Sequence, residues 1–177
     1  MRIMGLAGWS GAGKTTVIKR LLPTLVARGY SVSTVKHAHH RFDIDHPGKD
    51  SYAHRDAGAK EVLIVSGERY ALMHELRGDA EPDLARLLRL MSPVDFVIVE
   101  GFKSESYPKI EIHRAENGKP FLYADDPMIL AVATDQRDQI SDRPTLDLGD
   151  SDALADFVIA HAKPVDEVLG ALIRNEG

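Results

Sequence analysis

The chain predicts an α/β fold: a mostly parallel sheet flanked by helices, with β-hairpins inserted. Three observations lead there. Ile3-Met4-Gly5-Leu6-Ala7 is an apolar run of strand length, and a Gly-rich stretch follows it directly. Val17, Ile18, Leu21, Leu22, Leu25 and Val26 then recur at helical spacing. Further on, Phe96-Val97-Ile98-Val99 is continuously apolar, as in a central parallel strand covered on both faces.

The elements follow in order. The first helix runs from Thr15 towards Gly29, which suits the position just past a helix end. Pro23 lies on its polar side and predicts a kink rather than a break. Ser31 to Lys36 reads as a second strand, and a polar, His-rich segment extends from His37 to Lys49. Asp50-Ser51 is expected to cap a short helix that stops near Gly58. Glu61 to Ser66 and Arg69 to His74 read as a hairpin turning at Gly67-Glu68. Pro82 is expected just inside a helix striped by Leu84, Leu87, Leu88 and Met91. Lys109 to Arg114 alternates in character, Glu116-Asn117-Gly118 is turn-like, and Pro120 to Tyr123 is expected to return as a second hairpin. Met128 to Ala133 is a further buried strand. Asp150 or Ser151 caps a helix carrying Leu154, Phe157 and Val158, and an amphipathic stripe beginning at Val165 follows Pro164.

Composition bounds the function. A chain of 177 residues with no repeat or linker is expected to form one domain spanning 1–177. The formal net charge of −5, with no basic stripe, argues against a nucleic-acid partner. Without cysteine, disulfides and thiolate metal sites are excluded. The first residues enter strand and glycine loop directly, so no signal peptide is expected. No apolar run approaches the ~20 residues that span a bilayer. A cytoplasmic protein without membrane attachment is the expectation.

Gly8-Trp9-Ser10-Gly11-Ala12-Gly13-Lys14-Thr15 fits G-x-x-x-x-G-K-[ST] at every fixed position. Such a loop lets successive backbone N–H groups converge on phosphate oxygens, and the following helix adds its dipole. Gly8, Ser10, Gly11, Ala12, Gly13, Lys14, Thr15 and Thr16 are therefore candidate nucleotide-binding residues, with Thr15 reaching Mg²⁺. The sheet is accordingly expected to be P-loop NTPase-like. Such a site needs a carboxylate at the end of a neighbouring strand to hold the metal. Asp95 and Glu100 bracket the apolar run, and only Glu100 lies at its carboxyl end, so Glu100 is the second metal candidate. Gly101 permits a close backbone approach to phosphate or metal.

A second candidate group is a loop for another ligand or a partner: Lys36, His37, His39, His40, Asp45, Lys49, Asp50 and Ser51. Its histidines, with Arg41, Lys49 and Arg55, suit a polar pocket for an anion. The spacing of its His and Asp residues forms no recognised zinc site. Base recognition is the least legible step. No Asn-Lys-x-Asp sequence occurs, and Asp135, following a buried strand, is the candidate to accept from the N–H groups of guanine.

GWSGAGKTT, KHAHH, DIDHPGKDSY with its following AGA, and VEGFK together resemble the MobB family, adapter proteins of molybdopterin-guanine dinucleotide biosynthesis. The resemblance implies a homodimeric protein that binds GTP with Mg²⁺ and hydrolyses it feebly. It implies assistance to a separate nucleotidyltransferase, MobA, and contact with molybdopterin or with an enzyme receiving the cofactor. Under the resemblance Gly11, Gly13, Lys14, Thr15 and Thr16 bind phosphate, Glu100 is the acidic residue after the strand, and Lys36, His37 and Asp45 belong to the second motif. Two other readings remain open on the residues themselves: a small-molecule kinase with Asp45 or Asp50 as base, and a nucleotide-gated metallochaperone using the histidines.

Overall fold

The computed structural model describes residues 1–38, 42–136, 138, 140 and 142–174, the side chains of 171–174 excepted. In chain order the elements are β1 (Arg2–Ala7), α1 (Lys14–Ala27), β2 (Val32–Lys36), α2 (Asp50–Asp56), β3 (Glu61–Val65), β4 (Tyr70–His74), α3 (Leu84–Leu90) and β5 (Phe96–Glu100). They continue with β6 (Lys109–His113), a 3₁₀ turn (Ala115–Asn117), β7 (Ile129–Thr134), β8 (Thr145–Leu146), α4 (Ser151–His161), β9 (Lys163–Pro164) and α5 (Val165–Arg174). The contacts divide the chain into two compact units, Met1–His37 with Leu84–Gly177, and Ala38–Asp83.

The larger unit is a sheet in the order β2-β5-β1-β6-β7-β8, with β9 added antiparallel along β1. Every pairing within that path is parallel. Alternate residues of the central strands supply two cores. Met4, Leu6, Phe96, Ile98, Ile110 and Ile112 pack with Val17, Leu21 and Leu25 of α1 and with Leu154 and Val158 of α4. Ile3, Val97 and Val99 pack on the other face with Leu84 and Leu88 of α3 and with Val165 and Val168 of α5. The continuously apolar runs are thus covered on both faces, and the predicted P-loop NTPase-like architecture is the one observed. Helix α1 continues through exposed Pro23 to Ala27, with Arg28 at the cap position and Gly29 at φ +88° immediately beyond.

The smaller unit contains α2 and the antiparallel pair β3–β4, in the register Leu63↔Leu72 and Val65↔Tyr70. This is the hairpin that the alternating residues predict, and it forms a separate two-stranded sheet.

Several expectations need correction. Lys109–His113 is no hairpin arm: β6 is a central strand, parallel to both β1 and β7. Its alternation reflects one face of apolar Ile110 and Ile112 and another whose polar groups are buried and bonded. Lys109 Nζ donates to the Lys103 and Glu105 carbonyls and to Asp126 Oδ2. Glu111 accepts from the Leu122 and Tyr123 amides at 2.8 and 2.9 Å. His113 lies between Thr134 Oγ1 and the Lys119 carbonyl and stacks on Phe121. Pro120 to Tyr123 therefore forms no return strand; its amides are taken by the strand it was expected to pair with. At α2, Lys49 occupies the cap position without a side-chain bond, and Asp50 opens the first turn instead of capping it. Pro82 precedes the start of α3 rather than lying within it. The two-residue strands β8 and β9 carry too little pattern to be legible in sequence.

Gly5 is required by space. A β-carbon there would stand 2.4 Å from Tyr107 Cε2 and 3.0 Å from Lys109 Cγ. Tyr107 is buried against β1, and its hydroxyl donates to the Gly101 carbonyl at 2.7 Å. Gly5→Ala should lower the unfolding free energy by about 1–3 kcal/mol, the usual cost of overpacking. Urea denaturation reads this as a lower midpoint at unchanged slope; an unaltered midpoint would contradict the contact.

Candidate functional site

The stretch from Gly8 to Thr15 leaves the carboxyl end of β1 and becomes α1. Gly8, Gly11 and Gly13 have φ of +144°, +81° and +95°, so the backbone turns tightly at three points. Gly13 stands at the cap position of α1, where it supplies no side-chain bond, and the first turn contains no acidic residue. A 14-residue helix therefore begins with N–H groups that no cap side chain satisfies. Thr15 and Thr16 are exposed in that turn, Ser10 and Gly11 are exposed in the loop, and Ala12 is buried beneath it.

Lys14 curls back over the loop, its Nζ donating to the carbonyls of Gly8 and Trp9, both at 2.9 Å. Burial holds its pKa below the usual lysine value; Glu100 opposes that shift, and Lys103 and Lys36 add to it. Glu100 ends β5, and its largely buried carboxylate lies 3.5 Å from Lys36 Nζ. Three lysines thus bear on a neighbourhood with one carboxylate, an arrangement that favours an incoming anion.

Gly101 follows with φ +103°, and a β-carbon there would meet His37 Cβ at 2.4 Å. The close approach seen at Gly101 is that of His37. The His37 amide donates to the Glu100 carbonyl at 2.8 Å, and its ring stacks on Phe102. The strand ends carrying Lys36, His37 and Glu100 are in this way fixed beside one another. Asp95 lies at the opposite end of β5, where its carboxylate accepts from the Ser31 amide and hydroxyl.

A wall unseen in the sequence comes from the segment after β6. Asn117 Nδ2 donates to the Ser10 carbonyl, and Trp9 Nε1 donates to the Pro120 carbonyl. Lys103 and Lys119 place their ammonium groups 5.2 and 5.9 Å from the Trp9 ring centre. Asp135 is exposed at the end of β7, with Oδ1 accepting from the Ala115 amide at 2.9 Å. It lines a cavity of about 700 Å³ together with Arg20, Arg114, Thr134, Asp138 and Asp147. No sequence motif marks Asn117 or Arg114; only the parallel placement of β6 beside β1 brings them to the loop.

The remaining candidates divide. His39 and His40, with Arg41, lie outside the described residues. Asp45, Lys49, Asp50 and Ser51 belong to the smaller unit, where Lys49 and Asp50 are exposed. Asp45 is buried and bonded at 2.6 Å to Arg55, whose guanidinium also reaches Asp43 and Glu75. Arg55 is therefore surrounded by carboxylates. Among the described residues, no group of three or more His, Asp or Glu side chains is arranged to hold a metal ion.

The Arg55 hydrogen bond holds the Asp45 carboxyl below its ordinary pKa. The stabilisation is therefore present above the unfolded-state value and lost as pH falls through the lower folded-state value. Asp45→Asn should destabilise the protein at neutral pH and flatten the acid limb of stability against pH. Thermal melts across that limb test this, and an acid limb of unchanged steepness would contradict it.

Comparison with known proteins identifies the family and the fold. The model of the family MobB, molybdopterin guanine dinucleotide synthesis protein B, matches residues 3–135. A molybdopterin-guanine dinucleotide biosynthesis adapter protein of Escherichia coli K12 is 43% identical over 160 residues, covering 89% of this chain and 91% of that protein. Its counterpart in Haemophilus influenzae Rd is 40% identical over 156 residues, covering 88% and 86%. A crystal structure of molybdopterin-guanine biosynthesis protein B superposes with a TM-score of 0.71 at 27% identity, covering 89% of this chain and 98% of that one. A parallel sheet that sets a glycine loop, a lysine and a strand-end glutamate together thus meets the same family in both sequence and fold: the chain belongs to the MobB family.

Proposed function

We propose that this protein is a GTP-binding adapter in the formation of molybdopterin guanine dinucleotide, assisting a MobA-type nucleotidyltransferase. One observation carries the nucleotide reading. The uncapped start of α1 lies where the Gly8–Thr15 loop turns, with Lys14 folded over it and lysines outnumbering carboxylates around it. An anion placed there meets unsatisfied N–H groups and the positive end of the helix dipole. Lys14 would reach a bound triphosphate from its place over the loop carbonyls, and Thr15 with Glu100 would hold Mg²⁺, which would neutralise phosphate charge. The adapter role follows the names of the E. coli and H. influenzae relatives.

Guanine recognition is assigned to Asp135, whose side chain lines the cavity while its Oδ1 accepts from the Ala115 amide. Weak hydrolysis fits the charges. Fast phosphoryl transfer requires a group that orients the nucleophile as well as cations on the phosphates, and Arg55 is held by three carboxylates. The kinase alternative loses ground on the same residues, since a carboxylate tied to arginine and depressed in pKa, such as Asp45, is a poor general base. His37, Lys36 and the smaller unit are left for molybdopterin, the transferase or an enzyme receiving the cofactor. No described helix is long and apolar enough to cross a membrane, and cytoplasmic residence belongs to the same proposal.

A homodimer is supported by the hairpin. Leu63, Val65, Tyr70 and Leu72 form two directly opposed apolar pairs on one exposed face of β3–β4, and Phe42 and Ile44 of the same unit are exposed as well. Such an apolar face on a two-stranded sheet is a natural site for a second copy.

Calorimetry tests nucleotide binding. Lys14→Ala should abolish GTP binding without loss of fold, and Glu100→Gln should mainly weaken the Mg²⁺-dependent part; GTP affinity unaltered in Lys14→Ala would overturn the reading. Sedimentation tests the dimer, since Leu72→Glu should shift the protein to monomer, and a wild type that stays monomeric at high concentration would remove this proposal.

A further inference from the structure

Arg114 directly follows β6 and is half-buried. A β-carbon built on Gly13 would stand 2.9 Å from its Nε, 3.6 Å from Nη2 and 3.7 Å from Cζ. The guanidinium therefore rests against the α-carbon of the residue at the head of α1, which the positive φ of Gly13 also reserves for glycine. The backbone around it is fixed. The Ala115 amide is bound by Asp135, the Asn117 amide by the Arg114 carbonyl, and the Asn117 side chain by Ser10 of the loop.

Arg28, Arg55 and Arg143 each pair with carboxylates. Among the described residues Arg114 pairs with none, although it shares a cavity wall with Asp135 and Asp138. An arginine carried on a fixed backbone beside the loop, without a carboxylate of its own, points to an anion supplied from outside. Its position at Gly13 indicates which one, because the helix start and Lys14 address the same ligand.

We infer that Arg114 is a nucleotide-binding residue: its guanidinium donates to phosphate oxygens of a nucleoside phosphate held by the Gly8–Thr15 loop, from the cavity side. The planar fork offers two parallel donors where an ammonium offers one point charge. This inference rests on the proposed nucleotide site and adds a residue to it.

The test compares wild type, Arg114→Gln, Arg114→Lys and Lys14→Ala by calorimetry with GTP, and by competition with ATP, each variant first checked by thermal melting. Arg114→Gln should lose about 10- to 100-fold in GTP affinity, as expected for a hydrogen bond to a charged group. Arg114→Lys should recover part of that loss. The ratio of GTP to ATP affinity should stay at its wild-type value, since a phosphate contact serves both nucleotides. GTP affinity within twofold of wild type in Arg114→Gln, with binding lost in Lys14→Ala, overturns the arginine assignment alone. A changed GTP to ATP ratio overturns the phosphate contact in favour of a base contact. A wild type that binds neither nucleotide overturns the nucleotide site and this inference together.

Discussion

The site depends on β1 being hydrogen-bonded in parallel on both sides, to β5 through Arg2–Leu6 and to β6 through Gly5–Ala7. Parallel pairing aligns the carboxyl ends of all three strands, so whatever follows them collects at one edge. The glycine loop follows β1, Glu100 closes β5, and Arg114 follows β6. Neither flank could be exchanged for an antiparallel neighbour without sending its end to the opposite side. The two cores that cover the sheet hold this alignment in place.

β6 shows how the fold accommodates polar groups in a central strand. An isolated charge in a protein interior costs several kcal/mol, which would exclude Lys109 and Glu111 from such a position. Each is matched instead: Lys109 by two carbonyls and Asp126, Glu111 by two backbone amides. Burial still pushes the Glu111 carboxyl above its ordinary pKa, against the pull of those amides. The result is that an irregular segment is fastened to a regular strand. That segment bears Asn117 and Pro120, which bind the carbonyl of Ser10 and the indole of Trp9, so order passes from the sheet to the loop.

Gly5, Tyr107 and Gly101 form a comparable chain on the other flank. The missing β-carbon at Gly5 admits the Tyr107 ring, whose hydroxyl holds the Gly101 carbonyl, and Gly101 admits His37. Glu100 is thereby anchored between a tyrosine-held turn and the His37 amide. Its carboxylate faces Lys36 and moderates Lys14. The electrostatics of the loop are set by this placement as much as by the lysines themselves.

The sequence by itself determined the local elements and the chemistry carried on contiguous residues. Apolar periodicity fixes β1, α1 and β5, glycine and lysine spacing fixes the loop, and strand polarity singles out Glu100 over Asp95. These are short-range consequences of backbone geometry and are written in neighbouring residues. Only the tertiary structure decided that Lys109–His113 is a central strand, because the partners that neutralise its polar face come from 103–105, 119–126 and 134. It alone placed Arg114 against Gly13 and Asn117 against Ser10, and it gave Arg55 its carboxylates. Alternation in a strand reports that its two faces differ; whether the polar face meets water or buried partners depends on residues distant in sequence, which no local pattern encodes.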